Sequence, residues 1–290
     1  MKQIAESELI INNDGSIFHL HLKPEQLAEN VLLVGDPGRV ALISNHFDKI
    51  EHKVQNREFI THTGWYKGVR FSALATGIGT DNIDIVLNEL DALVNIDLKT
   101  RIPKAKKSSL NLVRIGTSGG LQEDMEVDSF LMSETAIGFD GLLNFYKRRD
   151  EVCRLDIEKA FVNHMQWNTK IATPYFVDAS GELMNKIGKD IRRGLTISAP
   201  GFYGPQGREL RLEIQDANIN DKIRAFRFDD KCITNYEMES SALFGLSALL
   251  GHKAATICVI IANRYAKQYS KDYKPSIHAL IEIVLNRMAE

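Results

Sequence analysis

Cysteine is scarce. The 290 residues hold three, Cys153, Cys232 and Cys258, with no Cys-x-x-Cys pair, which argues against a disulfide framework or a cysteine-rich metal site and fits a reducing compartment. An excess of one charge is missing as well. Lys and Arg number 36 against 38 Asp and Glu, a formal net charge of −2, so nothing favours nucleic acid as a partner. Ala254 to Ala262 is too short to cross a bilayer, and Met1 to Gly15 is mixed polar, without the apolar centre of a signal peptide. No internal repeat and no linker-like composition divides the chain. The expectation is therefore a cytoplasmic protein, in contact with neither membrane nor nucleic acid, with a single domain over residues 1–290. Its composition, 44% hydrophobic and 26% charged, suffices for a sizeable core.

What is present alternates between short apolar runs and helical patterns. Val31 to Val34 reads as a strand, Gly35-Asp36-Pro37-Gly38-Arg39 as a phosphate-sized turn, and Val40 to Phe47 as a helix. Glu58 to Tyr66 and Val69 to Ala75 form a hairpin about Lys67-Gly68, and Asp81 to Val94 carries apolar residues at helical spacing. Asp97 to Ser109, rich in lysine, reads as a solvated basic loop. Leu112, Val113 and Ile115 read as a short buried strand that empties into a turn of glycines and hydroxyls, Gly116 to Gly120. Further strands are expected over Ser129–Phe139, Ala172–Val177, Leu195–Ser198 and Ala255–Ala262. Helices are expected over Ile157–Trp167, Glu182–Ile191, Arg208–Ile219 and Glu239–Leu250, and a last amphipathic one through Ile277 to Met288. Such alternation implies an α/β fold, a three-layer α/β/α sandwich around a central mixed sheet.

Two strand ends carry unusual chemistry. Gly116-Thr117-Ser118-Gly119-Gly120 formally matches Gly-x-Ser-x-Gly, but no helix pattern follows and no His-Gly-Gly segment precedes it, so a serine nucleophile is disfavoured. Arg114 says more. A guanidinium in an apolar strand needs either an internal carboxylate or an anion at the strand end, and the residue alone leaves both open. Gly35 to Arg39 tilts the balance towards an anion, because it sets backbone N–H groups and a second arginine after another strand.

Taken with Phe18-His19-Leu20, Arg57-Glu58-Phe59, Thr76-Gly77-Ile78-Gly79, Phe202-Tyr203-x-x-Gln206-x-Arg208, Tyr236-Glu237-Met238-Glu239-Ser240 and Ile260-Ile261-Ala262-Asn263-Arg264, these blocks resemble the nucleoside phosphorylase family in order. The likeness runs from about Ile17 to the C-terminal helix and is greatest to the uridine phosphorylases. It implies a phosphate site of Gly35, Arg39, Arg114 and Thr117, with Arg57 reaching in from a neighbouring subunit. It implies that Glu239 holds the ribose hydroxyls with Met238 and Glu237 beside it, and that His19 reaches the 5′-hydroxyl from the adjacent subunit. Gln206 and Arg208 would read the base, with Phe202 stacking and Ser118 and Gly119 lining. Arg114, Thr117, Glu239 and Arg208 would carry the catalysis. An amide offers a donor and an acceptor, and so does the imide edge of uracil. Asn263-Arg264, where purine-specific relatives typically carry an aspartate, points the same way.

The activity so implied is reversible phosphorolysis of uridine to uracil and ribose 1-phosphate, with inorganic phosphate as co-substrate, no cofactor and no metal. The partners are nucleoside, phosphate and further copies of the chain. A hydrolytic nucleosidase and a non-catalytic nucleoside-binding protein are the alternatives. The likeness departs at the Asp97–Ser109 insertion, at Gly204-Pro205 and at Asp81-Asn82, and dimer or hexamer is left open.

Overall fold

The central strands are near-continuous apolar runs, as parallel strands covered on both faces must be. In the computed structural model, which describes residues 2–290, the elements in order are β1 (Asn30–Val34), α1 (Gly38–Ser44), β2 (Lys49–Asn56), β3 (Phe59–Tyr66), β4 (Val69–Ala75), α2 (Thr80–Asn95), β5 (Ile96–Asp97), β6 (Ile102–Pro103), β7 (Asn111–Gly120) and β8 (Phe130–Gly138). Then follow α3 (Arg149–Val152), α4 (Leu155–Met165), β9 (Tyr175–Asp178), α5 (Gly181–Ile187), β10 (Arg192–Ser198), α6 (Ile219–Ala225), β11 (Arg227–Phe228), β12 (Lys231–Glu237), α7 (Ser240–Leu250), β13 (Lys253–Asn263), β14 (Gln268–Tyr269) and α8 (Lys274–Ala289).

One mixed sheet runs β11-β12-β10-β8-β13-β7-β1-β4-β3-β2, with β9 on β8 and β14 on β13. β12 also pairs antiparallel with the end of β7, Asn235 opposite Gly120 and Tyr236 opposite Gly119. Strands β7, β13, β8, β10 and β12 therefore close a ring, and β1, β4, β3 and β2 extend from it. Helices α1, α2, α5, α7 and α8 bury their apolar residues in one large cluster with the sheet, while Ile157 and Phe161 of α4 and Ile223 of α6 join a second one.

The ring changes the reading of the glycine stretch. Asn111 to Gly120 is one ten-residue strand, where the sequence suggested a short strand and a turn. β13 pairs along its whole length, and β12 clasps its last two residues. Small residues are what a strand needs where it curves to meet a third partner, and β13 shifts register opposite, between Ile260 and Ala262.

A second correction concerns Arg208 to Ile219, which is not a helix: α6 begins at Ile219. Gly207 takes a left-handed φ of +66° after the turn at Gly204–Gln206. Leu210 and Leu212 recur at a spacing of two and stand 74% and 85% exposed, so no apolar face exists for a helix to bury. Strands β2 and β12 had no counterpart in the sequence reading. The first is an edge strand of alternating exposed and half-buried residues, and the second hides Thr234 and Asn235, polar residues tied to Thr196 and to each other. The basic stretch after α2 forms the small β5–β6 pair. Lys104 and Lys107 donate to the carbonyls of Val94 and Asn95, at 2.9 and 3.3 Å, placing cations at the negative end of α2.

Candidate active site

Four chain turns converge at one end of β1, β4, β7 and β12. After β1, Asp36 folds back so that its Oδ1 accepts from Gly38 N at 2.9 Å, and Arg39 follows in the first turn of α1. After β4, the strand passes into Gly77-Ile78-Gly79, and Gly79, at φ +99°, donates its N–H to Glu239 Oε1 at 2.8 Å. That φ is open to glycine and strained for other residues.

β7 contributes Arg114, Thr117, Ser118 and Gly119. The Arg114 guanidinium lies across the strand over Gly116, where a side chain would overlap Nη1 and stand 2.9 Å from Cys258 Sγ. β12 ends at Glu237, which is locked before any ligand arrives: its carboxylate accepts from Ser198 Oγ at 2.5 Å, from Glu239 N at 3.0 Å and from Ser240 N at 3.0 and 3.1 Å. Acceptors at the first N–H groups of α7 satisfy donors that the helix itself leaves unpaired.

Arg114 finds the internal carboxylate that the sequence left open. Its Nη2 pairs with Glu239 Oε2, and its Nη1 lies 3.6 Å from Glu237 Oε2. All three residues are buried, with 3 to 5% of each exposed. Burial disfavours the cation, yet Glu239 and Glu237 more than offset it and hold Arg114 firmly protonated. Burial also pushes the Glu239 carboxyl up, against the pull of Arg114, and Glu237 adds to the push. Beneath them burial raises the Cys258 thiol to about 12. Arg114 Nε and Ser118 Oγ are buried without a protein partner, although buried polar atoms are nearly always paired. Both residues line the cavity.

The other end of the cavity is a loop. Gln206 is buried and Phe202 half exposed. Arg208 stacks on the Phe202 ring, 3.8 Å from its centroid, donates to Phe202 O at 2.6 Å and also to Gln206 Oε1. Burial, then the charge of Arg264, lowers Arg208 to about 10. Arg264, whose motif alone assigns it no contact, holds the turn by donating to Gln206 O and, at 3.0 Å, to Gly207 O. Asn263 is fully engaged: Nδ2 donates to Gln122 O and Met125 O at 2.8 and 2.7 Å, and Oδ1 accepts from Ala266 N at 3.0 Å.

Gly35, Arg39, Arg114, Thr117, Ser118, Gly119, Phe202, Gln206, Arg208, Glu237, Met238 and Glu239 thus line one cavity of about 950 Å³. His19 and Arg57 do not. They lie together elsewhere, with Arg57 over the Phe18 ring at 5.6 Å and Asn56 Nδ2 donating to His19 O at 2.8 Å. Glu58, Asn82, Tyr236 and the β13–β14 hairpin residues Lys267, Gln268 and Tyr269 also line the cavity and had no role in the sequence reading. The hairpin has no short-range signal, because it becomes a wall only when β13 reaches the ring.

A rolled mixed sheet with arginines and a buried carboxylate at its strand ends defines the class, and the chain belongs to the phosphorylase superfamily, whose family model matches residues 29–289. It is 28% identical over 274 residues to the uridine phosphorylase of Thermococcus kodakarensis, covering 93% of this chain and 86% of that one. A purine nucleoside phosphorylase of DeoD type from Listeria monocytogenes is 27% identical over 246 residues, with 83% and 85% covered. Among solved structures, a Trypanosoma brucei nucleoside phosphorylase described as showing uridine phosphorylase activity superposes with a TM-score of 0.83 at 27% identity, covering 96% of this chain and 98% of that one.

Proposed function

We propose that this protein is a pyrimidine nucleoside phosphorylase that converts uridine and inorganic phosphate reversibly into uracil and ribose 1-phosphate. The observation that carries the reading is that Arg39, Arg114, Glu239, Gln206 and Arg208 line one cavity, with Arg114 paired to Glu239 and Arg208 to Gln206. An anion, a vicinal diol and an imide edge each meet the group that suits them. The purine relative, over a shorter stretch, is almost as identical as the pyrimidine one, so base choice rests on the Gln206–Arg208 pair and on Asn263, whose engaged amide is not free to serve a purine nitrogen.

Phosphate attacks C1′ from the face opposite the base. The new C1′–O bond forms as the C1′–N1 bond breaks, through an oxocarbenium-like state akin to that of inverting glycoside hydrolysis. The bond pair leaves with uracil, whose developing charge Arg208 stabilises, while the Glu239 carboxylate steadies the sugar as positive charge grows. Arg114 positions the phosphate. Neither a covalent intermediate nor a cofactor is needed. His19 and Arg57, which lie close together and do not line this cavity, act in the site of a neighbouring copy, which makes the enzyme a homo-oligomer with shared sites.

The test is incubation with uridine or inosine, with and without phosphate, following free base and ribose 1-phosphate. Phosphate-dependent formation of ribose 1-phosphate from uridine, and little from inosine, is the expected result. Base release that ignores phosphate would make the protein a nucleosidase, and tight binding without release a nucleoside-binding protein.

A further inference from the structure

His19 sits on a tight loop whose anchors, Ile17, Leu20 and Leu22, are fully buried. Backbone bonds close it, from Ile17 N to Leu22 O at 2.9 Å and from His21 N to Ile17 O at 3.0 Å. What aims the imidazole is one carboxylate from another element. Glu89, nearly three turns into α2, accepts from His19 N at 3.0 and 3.1 Å, from Leu20 N at 2.8 Å and from His19 Nδ1 at 2.7 Å. Its side chain is 12% exposed and that of His19 26%. A largely desolvated carboxylate with this many donors is a strong, directional anchor.

We propose that Glu89 is a positioning residue for the His19 that serves the neighbouring copy's site, a role that rests on the shared-site reading above. By accepting at Nδ1, the carboxylate selects the ring form with its proton there, which leaves Nε2 with a lone pair for the 5′-hydroxyl proton of a ribose. By accepting from His19 N and Leu20 N, it also fixes where the ring stands. The helix that carries Glu89 begins right after Gly79, whose N–H holds Glu239. α2 is thus a strut with one end on its own ribose site and the other on the arm it lends out.

The experiment compares kcat/KM for uridine and 5′-deoxyuridine in His19→Ala, Glu89→Ala, Glu89→Gln and the double variant His19→Ala/Glu89→Ala. A purely structural role for Glu89 would lower both substrates alike. The positioning role predicts that Glu89→Ala cuts the preference for uridine about five- to tenfold, the size of one lost hydrogen bond, matching His19→Ala, and that the double variant loses no more. Glu89→Gln keeps an acceptor for the backbone N–H groups, so it tests the same point if the alanine variant folds poorly: the uridine preference falls while the thermal midpoint stays. Equal losses on both substrates, no loss, or additive losses in the double variant would overturn the proposal. If His19→Ala itself leaves the preference untouched, the shared-site reading fails and this one with it. If His19→Ala shifts the preference and the Glu89 variants do not, Glu89 alone is wrongly assigned.

Discussion

At the strand end of the cavity Arg114, Glu237 and Glu239 are buried and tied to one another and to backbone N–H groups. At the base end Phe202 and Arg208 stand on an irregular loop that is held by Arg264 and Asn220, which both donate to the carbonyls of Gln206 and Gly207, and by their mutual stacking. The difference follows from what each end gives up to water. Three buried charges are tolerable only when each compensates another, so this half is organised before phosphate or ribose arrives. The base end buries Gln206 but leaves Phe202 half exposed, so its loop adjusts at smaller cost. On the proposed function, one half sets the chemistry and the other selects the base.

Removing Glu239 separates the halves most sharply. Glu239→Ala leaves Arg114 buried with Glu237, 3.6 Å from Nη1, as its remaining counter-charge, and stability falls by about 3 kcal/mol, with phosphorolysis reduced on the order of a thousandfold, the upper end of the cost of one lost transition-state contact. Denaturant unfolding and steady-state rates check this, and a variant as stable as the parent would show that the pair is not the strand end's anchor. Gln206→Ala is the intermediate case. Uridine kcat/KM drops roughly tenfold to a hundredfold, stability moves by less than about 1 kcal/mol, and the KM for phosphate is unchanged. A raised phosphate KM would erase the boundary between the two ends.

The smallest effect concerns pH. Burial raises the Cys258 thiol from an ordinary 9.0 to about 12, so the folded chain keeps a proton that the unfolded chain releases. That contribution is complete below pH 9 and is lost as pH rises towards 12. Cys258→Ala is therefore expected to lose less stability than the parent between pH 9 and 11 in unfolding titrations. Equal slopes would mean that water reaches the floor of the strand end.

Much of this was legible in the chain. The β3–β4 hairpin fell where Lys67-Gly68 predicted, both residues taking the positive φ that such a turn requires. The helix read from Asp81 to Val94 is α2, because its apolar residues recur at helical spacing. The residues expected around phosphate, ribose and base from one chain meet in one cavity, since each sits at the end of a strand or in the loop after one. Arg208 to Ile219 misled because alternating leucines in a charged stretch score as a partial helical face when nothing shows that they point outwards. β12 escaped because its buried polar residues Asn235 and Thr234 depend on partners in β10, Thr196 and the Leu195 carbonyl.

The sequence by itself determined the alternation of strands and helices, the family likeness and the residue types of the site, since propensity, periodicity and local motifs are properties of neighbours along the chain. Only the tertiary structure decided that Gly116 to Gly120 is strand, that Arg114 meets Glu239, that Arg264 props the base loop and that Glu89 holds His19. Each of these joins residues far apart in the chain, and the closing of the sheet into a ring, where β12 comes back to β7, is what brings the two ends of the cavity together.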